Sequence, residues 1–148
     1  MLGSKGRILV VDDERINRVL LSTNLKESGY EVETAVDGHE ALELLHARPF
    51  DVVLLDLLMP RMDGYQVLEQ MKAADALRRI PVIVISSMDD MDSIVRCLEM
   101  GATDYLNKPF NPALLHARLN GSLAGLREGR MAILRLQLAQ VTATQEEE

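Results

Sequence analysis

Short runs of aliphatic residues alternate with segments of helical periodicity along most of the chain. The aliphatic runs lack regular polar alternation, as do strands that are buried on both faces of a parallel sheet. We predict five strands, at residues 8–12, 31–36, 51–55, 80–86 and 104–107. The second run alternates more than the others and therefore predicts a strand at the edge of the sheet.

The segments between these strands place apolar residues at helical spacing. They predict helices at residues 14–28, 37–48, 65–74 and 91–100, followed by a long last helix that begins at Asn111-Pro112. Strands and helices in strict alternation predict an α/β fold, with a doubly wound parallel sheet, helices on both faces and right-handed crossovers.

Two of the predicted helices have features that can be assigned to named residues. In the first helix, the apolar face is assigned to Ile16, Val19, Leu20 and Leu25. At the start of the second helix, Asp37 and Glu40 have the spacing of a capping box, in which each side chain accepts a hydrogen bond from the other residue's backbone N–H.

Composition and charge narrow the class of protein. The chain has 148 residues, of which 47% are hydrophobic, and this fits one domain with a substantial core. A net charge of -7 argues against nonspecific binding to nucleic acid or to an acidic membrane. The single cysteine, Cys97, is compatible with a reducing compartment, and no apolar stretch approaches the length of a membrane span. We therefore expect a cytoplasmic protein.

Polar side chains follow four of the five predicted strands, at the point where each strand ends. Asp12 and Asp13 follow the first strand, Asp56 the third, Ser86 closes the fourth and Lys108 follows the fifth. Because the carboxyl ends of parallel strands meet at one edge of a sheet, we expect these side chains to lie close together. Three carboxylates at one place would repel each other unless a divalent cation lies among them. Oxygen ligands favour Mg²⁺, with Mn²⁺ as an alternative.

The other groups at this edge point to phosphoryl chemistry. Lys108 adds an ammonium group and Ser86 adds a hydroxyl donor beside the acids. Carboxylates, a metal, an ammonium and a hydroxyl around one open carboxylate describe a site for a phosphoryl group. Asp56 is then a nucleophile that forms an acyl phosphate.

This set of motifs resembles the receiver domain of two-component response regulators. The matching residues are Asp12-Asp13, Asp56 with Met59-Pro60 and Met62-Asp63-Gly64, Ser86, Tyr105 and Lys108-Pro109-Phe110. The resemblance covers residues 7–121, and its motifs occur in the right order at strand ends. It implies a flavodoxin-like (βα)5 sheet of strand order 2-1-3-4-5. It also implies transfer of a phosphoryl group from a histidine kinase or a phosphotransfer protein to Asp56.

The same resemblance implies a set of metal ligands. Asp13, Asp56 and the backbone carbonyl of Leu58 would bind the cation, and Asp12 would help directly or through water. The family also implies that phosphorylation changes the surface formed by the fourth helix, the fifth strand and the fifth helix. This change would control an attached or partner effector.

The remaining motif residues have implied roles in the phosphorylated state. Ser86 and Lys108 would bind the phosphoryl oxygens, and Tyr105 would be the aromatic residue that turns inward on activation. The peptide bond between Lys108 and Pro109 is expected to be cis, which would aim the lysine into the site.

Two other functions are compatible with parts of the pattern. One is an aspartyl-phosphate phosphatase of another α/β family; those enzymes typically have a second aspartate two residues after the nucleophile, where this chain has Leu58. The other is a phosphorylation-independent pseudo-receiver, against which the intact Asp13, Asp56 and Lys108 argue. We expect a phosphoacceptor switch with only self-phosphorylation and slow self-dephosphorylation, not a metabolic enzyme.

The two ends of the chain differ from the segment between them. Residues 1–6 are predicted to be a tail or a cloning remnant, 7–121 the receiver domain, and 122–148 a helical linker or coiled-coil tail with a disordered end. The tail has an apolar stripe at Met131, Leu134, Leu138 and Val141. Such a stripe predicts a weak homodimer through the last helix, with the face that this helix forms with the fourth helix as a further contact.

No DNA-binding domain fits after residue 121, so no contact with nucleic acid is expected from this segment. We expect the excised N-terminal module of a longer regulator, with a single-domain regulator and a hybrid-kinase receiver as alternatives.

Overall fold

The computed structural model describes residues 5–128, in which five strands and five helices alternate strictly. The strands are β1 (Arg7–Val11), β2 (Glu31–Ala35), β3 (Val52–Leu55), β4 (Val82–Ser86) and β5 (Asp104–Asn107). The helices are α1 (Arg15–Glu27), α2 (Gly38–Ala47), α3 (Gly64–Ala73), α4 (Met91–Glu99) and α5 (Pro112–Glu128). No helix in this part of the chain is long and apolar enough to cross a membrane.

All five strands are parallel and form one sheet of order β2-β1-β3-β4-β5. This confirms the predicted fold class, the strand order implied by the resemblance and the edge position of the second strand. The central strands β1, β3 and β4 are buried on both faces because helices cover the sheet on each side.

Successive residues of each central strand enter two different hydrophobic cores, one on each face of the sheet. Leu9 and Val11 of β1 contact the core beneath α2, α3 and α4, whereas Ile8 and Val10 contact the core beneath α1 and α5. Cys97 of α4 is fully buried in the first core. The sheet is therefore packed on both faces, and the carboxyl ends of its parallel strands lie along one edge.

The apolar face predicted for α1 is wrong at three of its four positions. Ile16, Val19 and Leu20 are exposed at 74%, 52% and 55%, whereas Leu21 and Leu25 are buried against the sheet. Apolar residues occupy more than one side of α1, so periodicity alone offers two stripes. The choice between them depends on which stripe meets the β1 and β3 side chains, and this is a tertiary contact.

The capping box predicted at the second helix forms only in part. The Asp37 side chain accepts a hydrogen bond from the Glu40 N–H at 2.8 Å. Both reciprocal bonds form instead at α3, where the Asp63 and Gln66 side chains each accept the other residue's backbone N–H at 2.9 Å. The two sites share the same spacing, so the rotamer of the fourth residue decides whether the box closes.

The last helix begins as predicted, with the Asn111 side chain accepting the N–H of Ala113 at 2.9 Å. Leu115 and Leu119 are fully buried on its inner face. The predicted boundary at residue 121 falls inside this helix and stays a prediction. The apolar stripe predicted for the tail, at residues 131–141, lies outside the described residues.

The loop before α3 approaches β3 so closely that a side chain at Gly64 has no space. A Cβ atom there would lie 2.4 Å from the carbonyl oxygen of Asp56 and 2.7 Å from the Cα of Leu57. Both neighbours are backbone atoms and cannot rotate away. A Cβ at Gly121, by contrast, meets nothing within 4 Å.

We predict opposite effects for alanine at these two glycines. Gly64→Ala should lower the free energy of unfolding by about 1–3 kcal/mol, because the loop must shift. Gly121→Ala should raise it by about 0.5–1 kcal/mol, because alanine favours an open helical position. Urea unfolding of both variants and wild type measures this. Wild-type stability in Gly64→Ala would contradict the close approach.

Candidate phosphoacceptor site

The register of the central strands brings two acids side by side. Val11 pairs with Leu55, so the residues that follow them, Asp12 and Asp56, leave neighbouring strands at the same level. The Asp56 N–H donates a hydrogen bond to the Val11 carbonyl at 3.0 Å. The β3 end is thus fixed against the β1 end, and both carboxylates belong to one site.

The ends of β4 and β5 complete this edge. Ser86 pairs with Asn107, and the Lys108 N–H donates to the Ser86 carbonyl at 3.0 Å. The peptide bond between Lys108 and Pro109 is cis, as the resemblance implied. The structure therefore brings together the side chains predicted at all four strand ends.

Three carboxylates form the acidic part of the site. One oxygen each from Asp12, Asp13 and Asp56 lie within 4.8 Å of one another. Asp12 and Asp56 are only 2% and 4% exposed, while Asp13 is exposed. Clustered carboxylate oxygens with one open side fit a hard divalent cation such as Mg²⁺, which prefers oxygen ligands and retains some of its water.

The ammonium group of Lys108 bridges the two buried acids. Its Nζ lies 2.8 Å from the Asp12 carboxylate and 3.3 Å from the Asp56 carboxylate. Burial lowers the pKa of Lys108, but the hydrogen bond to Asp12 and the charges of both acids raise it more, so its pKa lies above the ordinary value. Lys108 therefore stays charged.

The pKa of Asp56 is raised from 3.8 to about 6. Burial is the main cause, and the nearby Asp12 charge adds to it. Lys108 and the N–H of Leu58 act in the opposite direction but do not offset the burial. Any further positive charge brought next to Asp56 would therefore stabilise its ionised form.

Every polar group of Asp12 already has a protein partner. Its N–H donates to the Ala35 carbonyl, and its two carboxylate oxygens accept from the Glu14 N–H at 2.8 Å and from Lys108. Its carbonyl accepts a hydrogen bond from the Arg18 guanidinium at 2.7 Å. Sequence reasoning missed Arg18, and no motif signals it, because the contact depends on how α1 folds back over the loop.

The two residues predicted to take part in switching lie beside this cluster. Ser86 is fully buried, and its hydroxyl accepts the Met88 N–H at 3.3 Å. The ring of Tyr105 is half-buried, and its hydroxyl oxygen is buried without a hydrogen-bond partner in the described part of the chain. Burial raises the pKa of Tyr105. The Tyr105 hydroxyl therefore faces the protein interior in this structure.

Apolar side chains flank the open side of the site. Leu58 and Met88, together with Asp13 and Tyr65, line a cavity of about 430 Å³. Leu58 is 52% exposed, and its N–H donates to the Asp56 carboxylate at 3.3 Å. Met88 is half-buried against the core. Because Asp13 also lines this cavity, the cavity adjoins the acidic cluster.

Comparison with known proteins identifies the family. Residues 8–120 match the family model of the response regulator receiver domain. The chain is 42% identical over 122 residues to the probable transcriptional regulator ycf27 of Guillardia theta, covering 82% of this chain and 47% of that protein. It is 39% identical over 117 residues to the alkaline phosphatase synthesis transcriptional regulatory protein PhoP of Bacillus subtilis, covering 79% and 48%. The chain thus spans about half the length of these relatives.

Solved structures agree in fold. The receiver domain of a signal transduction histidine kinase from Syntrophus aciditrophicus superimposes with a TM-score of 0.77 at 35% identity, covering 85% of this chain and 96% of that one. The chemotaxis protein CheY4 of Vibrio cholerae gives a TM-score of 0.75 at 34% identity, covering 79% and 98%. This chain therefore belongs to the response regulator receiver domain family.

Proposed function

We propose that Asp56 accepts a phosphoryl group from the phosphohistidine of a histidine kinase or of a phosphotransfer protein. The observation that carries this proposal is a buried carboxylate at a strand end, 3.3 Å from a lysine ammonium and clustered with the exposed Asp13. A carboxylate oxygen of Asp56 attacks phosphorus, the P–N bond breaks with its electron pair left on the imidazole, and an acyl phosphate forms.

The acidic cluster supports a role for Mg²⁺, with Mn²⁺ as a substitute. Asp13, Asp56 and the backbone carbonyl of Leu58 would bind the cation directly. Because both carboxylate oxygens of Asp12 have protein partners, Asp12 would act through water. The chemistry supplied by the bound cation is neutralisation of charge on the carboxylates and on the phosphoryl oxygens.

Lys108 and Ser86 are the groups we propose for binding the phosphoryl oxygens. Lys108 already lies beside Asp56, and the buried Ser86 hydroxyl can rotate towards a new acceptor. A bond from Ser86 to the phosphoryl group would shift the β4–α4 loop, next to which Tyr105 lies. A change in the orientation of Tyr105 would thereby alter the surface formed by α4, β5 and α5 after phosphorylation.

The proposed chemistry is a switch and not a turnover enzyme. The side chain two residues after Asp56 is the apolar Leu58, which cannot serve as the general acid of an aspartyl-phosphate phosphatase. The ion pairs of Lys108 with Asp12 and Asp56 argue equally against a pseudo-receiver that never reacts. We propose that the domain works in the cytoplasm, where its single cysteine stays reduced.

Labelling with acetyl phosphate and Mg²⁺ tests the phosphoacceptor. We predict that wild type gains one phosphoryl group by intact mass and that Asp56→Asn gains none, because the amide is a poor nucleophile. Asp75→Asn is the matched control, since Asp75 is 89% exposed and pairs only with Arg78 in the described residues. It should be labelled as wild type is. Labelling of Asp56→Asn at the wild-type level would show that another residue accepts the phosphoryl group.

The exposed side of α4 supports a homodimer and an effector contact. Met91, Val95 and Leu98 form a stripe at 70%, 41% and 42% exposure, and Leu114 of α5 is 44% exposed. Asp104 and Arg118, on the same side, form an ion pair within the chain at 3.2 Å. An exposed apolar stripe bordered by charges is typical of a protein interface.

Light scattering tests the dimer. We predict that the full chain gains mass with concentration, and more so after phosphorylation. Val95→Lys with Leu98→Lys should stay monomeric, because lysine would have to be buried without a partner. Ile16→Lys, at an exposed apolar position of α1, is the control and should dimerise as wild type does. A chain that ends at Gly121 reports the role of the tail, and equal monomer masses for all forms would exclude the dimer.

The apolar side chains beside Asp56 support a long-lived phosphorylated state. Hydrolysis requires a water in line behind phosphorus. Leu58 and Met88 line a cavity that also borders Asp13, the neighbour of Asp56 in the acidic cluster, and their side chains offer that water no hydrogen bond. Shielding by two side chains raises the barrier without any change to the acids, and each tenfold change in rate needs only about 1.4 kcal/mol.

We predict that Leu58→Asn combined with Met88→Glu shortens the lifetime of phospho-Asp56 about tenfold, because polar groups can orient the water. Decay of the phosphorylated mass after removal of the donor measures the rate. Leu114→Asn, another exposed apolar position, is the control and should decay as wild type does. Equal or slower decay in the double variant would refute the shielding role.

A further inference from the structure

Arg18 of α1 reaches back to the loop that follows β1. Its Nη1 donates a hydrogen bond to the carbonyl oxygen of Asp12 at 2.7 Å, and its own backbone N–H donates to the Glu14 carbonyl at 3.1 Å. The side chain is half-buried. Both ends of Arg18 are therefore tied to the segment that contains the first two acids.

The bonded carbonyl belongs to the peptide group that joins Asp12 to Asp13. A peptide group is planar and includes the Cα atoms on both sides, so its orientation sets where the Cα of Asp13 lies and how its side chain projects. The Asp13 carboxylate is exposed, and no hydrogen bond or ion pair holds it within residues 5–128. The backbone therefore sets where the Asp13 side chain starts, and only its own torsions then place the carboxylate.

We infer that Arg18 is a positioning residue for the cation site. By fixing the peptide group between Asp12 and Asp13, it holds the Asp13 carboxylate near Asp12 and Asp56, so that one oxygen of each acid lies within 4.8 Å of the other two. Arg18 does not touch the cation or the phosphoryl group. This inference rests on the proposed role of Asp13 as a direct ligand.

The charge of Arg18 and its positioning role predict opposite changes in Mg²⁺ affinity when Arg18 is replaced. A guanidinium beside three acids repels a divalent cation, so removal of its charge alone would tighten Mg²⁺ binding. Removal of the hydrogen bond frees the peptide group. Cation binding must then order Asp13, and the conformational entropy lost in this step weakens the affinity for Mg²⁺. The direction of the change in Mg²⁺ affinity therefore shows whether the charge effect or the positioning effect of Arg18 is larger.

Calorimetric titration of the unphosphorylated full chain with Mg²⁺ measures this affinity. In Arg18→Met, which keeps an unbranched apolar stem, we expect the Kd for Mg²⁺ to rise about tenfold, as for other groups that orient metal ligands. In Arg18→Lys, which keeps the charge but not the planar donor, we expect a rise of about threefold. Thermal unfolding in EDTA shows whether each variant folds. If Arg18→Met does not fold, the Kd of Arg18→Lys tests the inference.

Arg15→Met is the matched control. Arg15 lies on the same helix and is exposed, and its side chain makes no hydrogen bond or ion pair in the described part of the chain. Its loss removes the same charge without freeing the loop, so the Kd should stay equal or fall slightly. An unchanged or lower Kd in both Arg18 variants would overturn the inference. Absence of Mg²⁺ binding in wild type would overturn the proposed cation site itself, and this failure is distinct because it precedes any comparison of variants.

Discussion

The ion pairs of Lys108 are the constraint on which the carboxyl edge of the sheet depends. Asp12 and Asp56 are almost fully buried and lie on adjacent strands, where two negative charges would repel each other strongly in a site with little water. The Lys108 ammonium, within 2.8 and 3.3 Å of them, compensates both charges at once. Because this lysine follows β5 while the acids follow β1 and β3, its ion pairs join three strand ends across β4.

The three acids differ in their burial and in the hydrogen-bond and ion-pair partners that the protein gives them. Asp12 has a partner for each of its polar groups and acts as a fixed part of the scaffold. Asp56 is buried and its pKa is raised to about 6, so added positive charge would stabilise its ionised form. Asp13 is exposed and depends on its backbone for its position. A proposed cation site thus combines one rigid, one reactive and one adjustable carboxylate.

The surfaces around the edge differ in a way that fits a switch. Exposed apolar residues lie on α1 next to the site and on α4 farther along the sheet, while both helices are fixed to the core by their opposite faces. The acidic cluster lies beside the start of α1, whereas the proposed output surface lies at α4, β5 and α5. Ser86 and Tyr105 lie between these two surfaces, at the end of β4 and within β5. The chain spans about half the length of the relatives it matches.

The sequence by itself determined the order of the elements, the parallel sheet and the identity of the side chains at the strand ends. Aliphatic runs that end in a polar residue indicate buried strands, because a strand that is buried on both faces cannot accommodate polar side chains until it leaves the core. The tertiary structure alone decided which stripe of α1 is buried, since Leu21 and Leu25 compete with Ile16, Val19 and Leu20 for the sheet. It alone closed the capping box at Asp63 and not at Asp37, and it alone brought Arg18 to the Asp12 carbonyl. These features depend on contacts between elements and on rotamers, which periodicity and spacing do not encode.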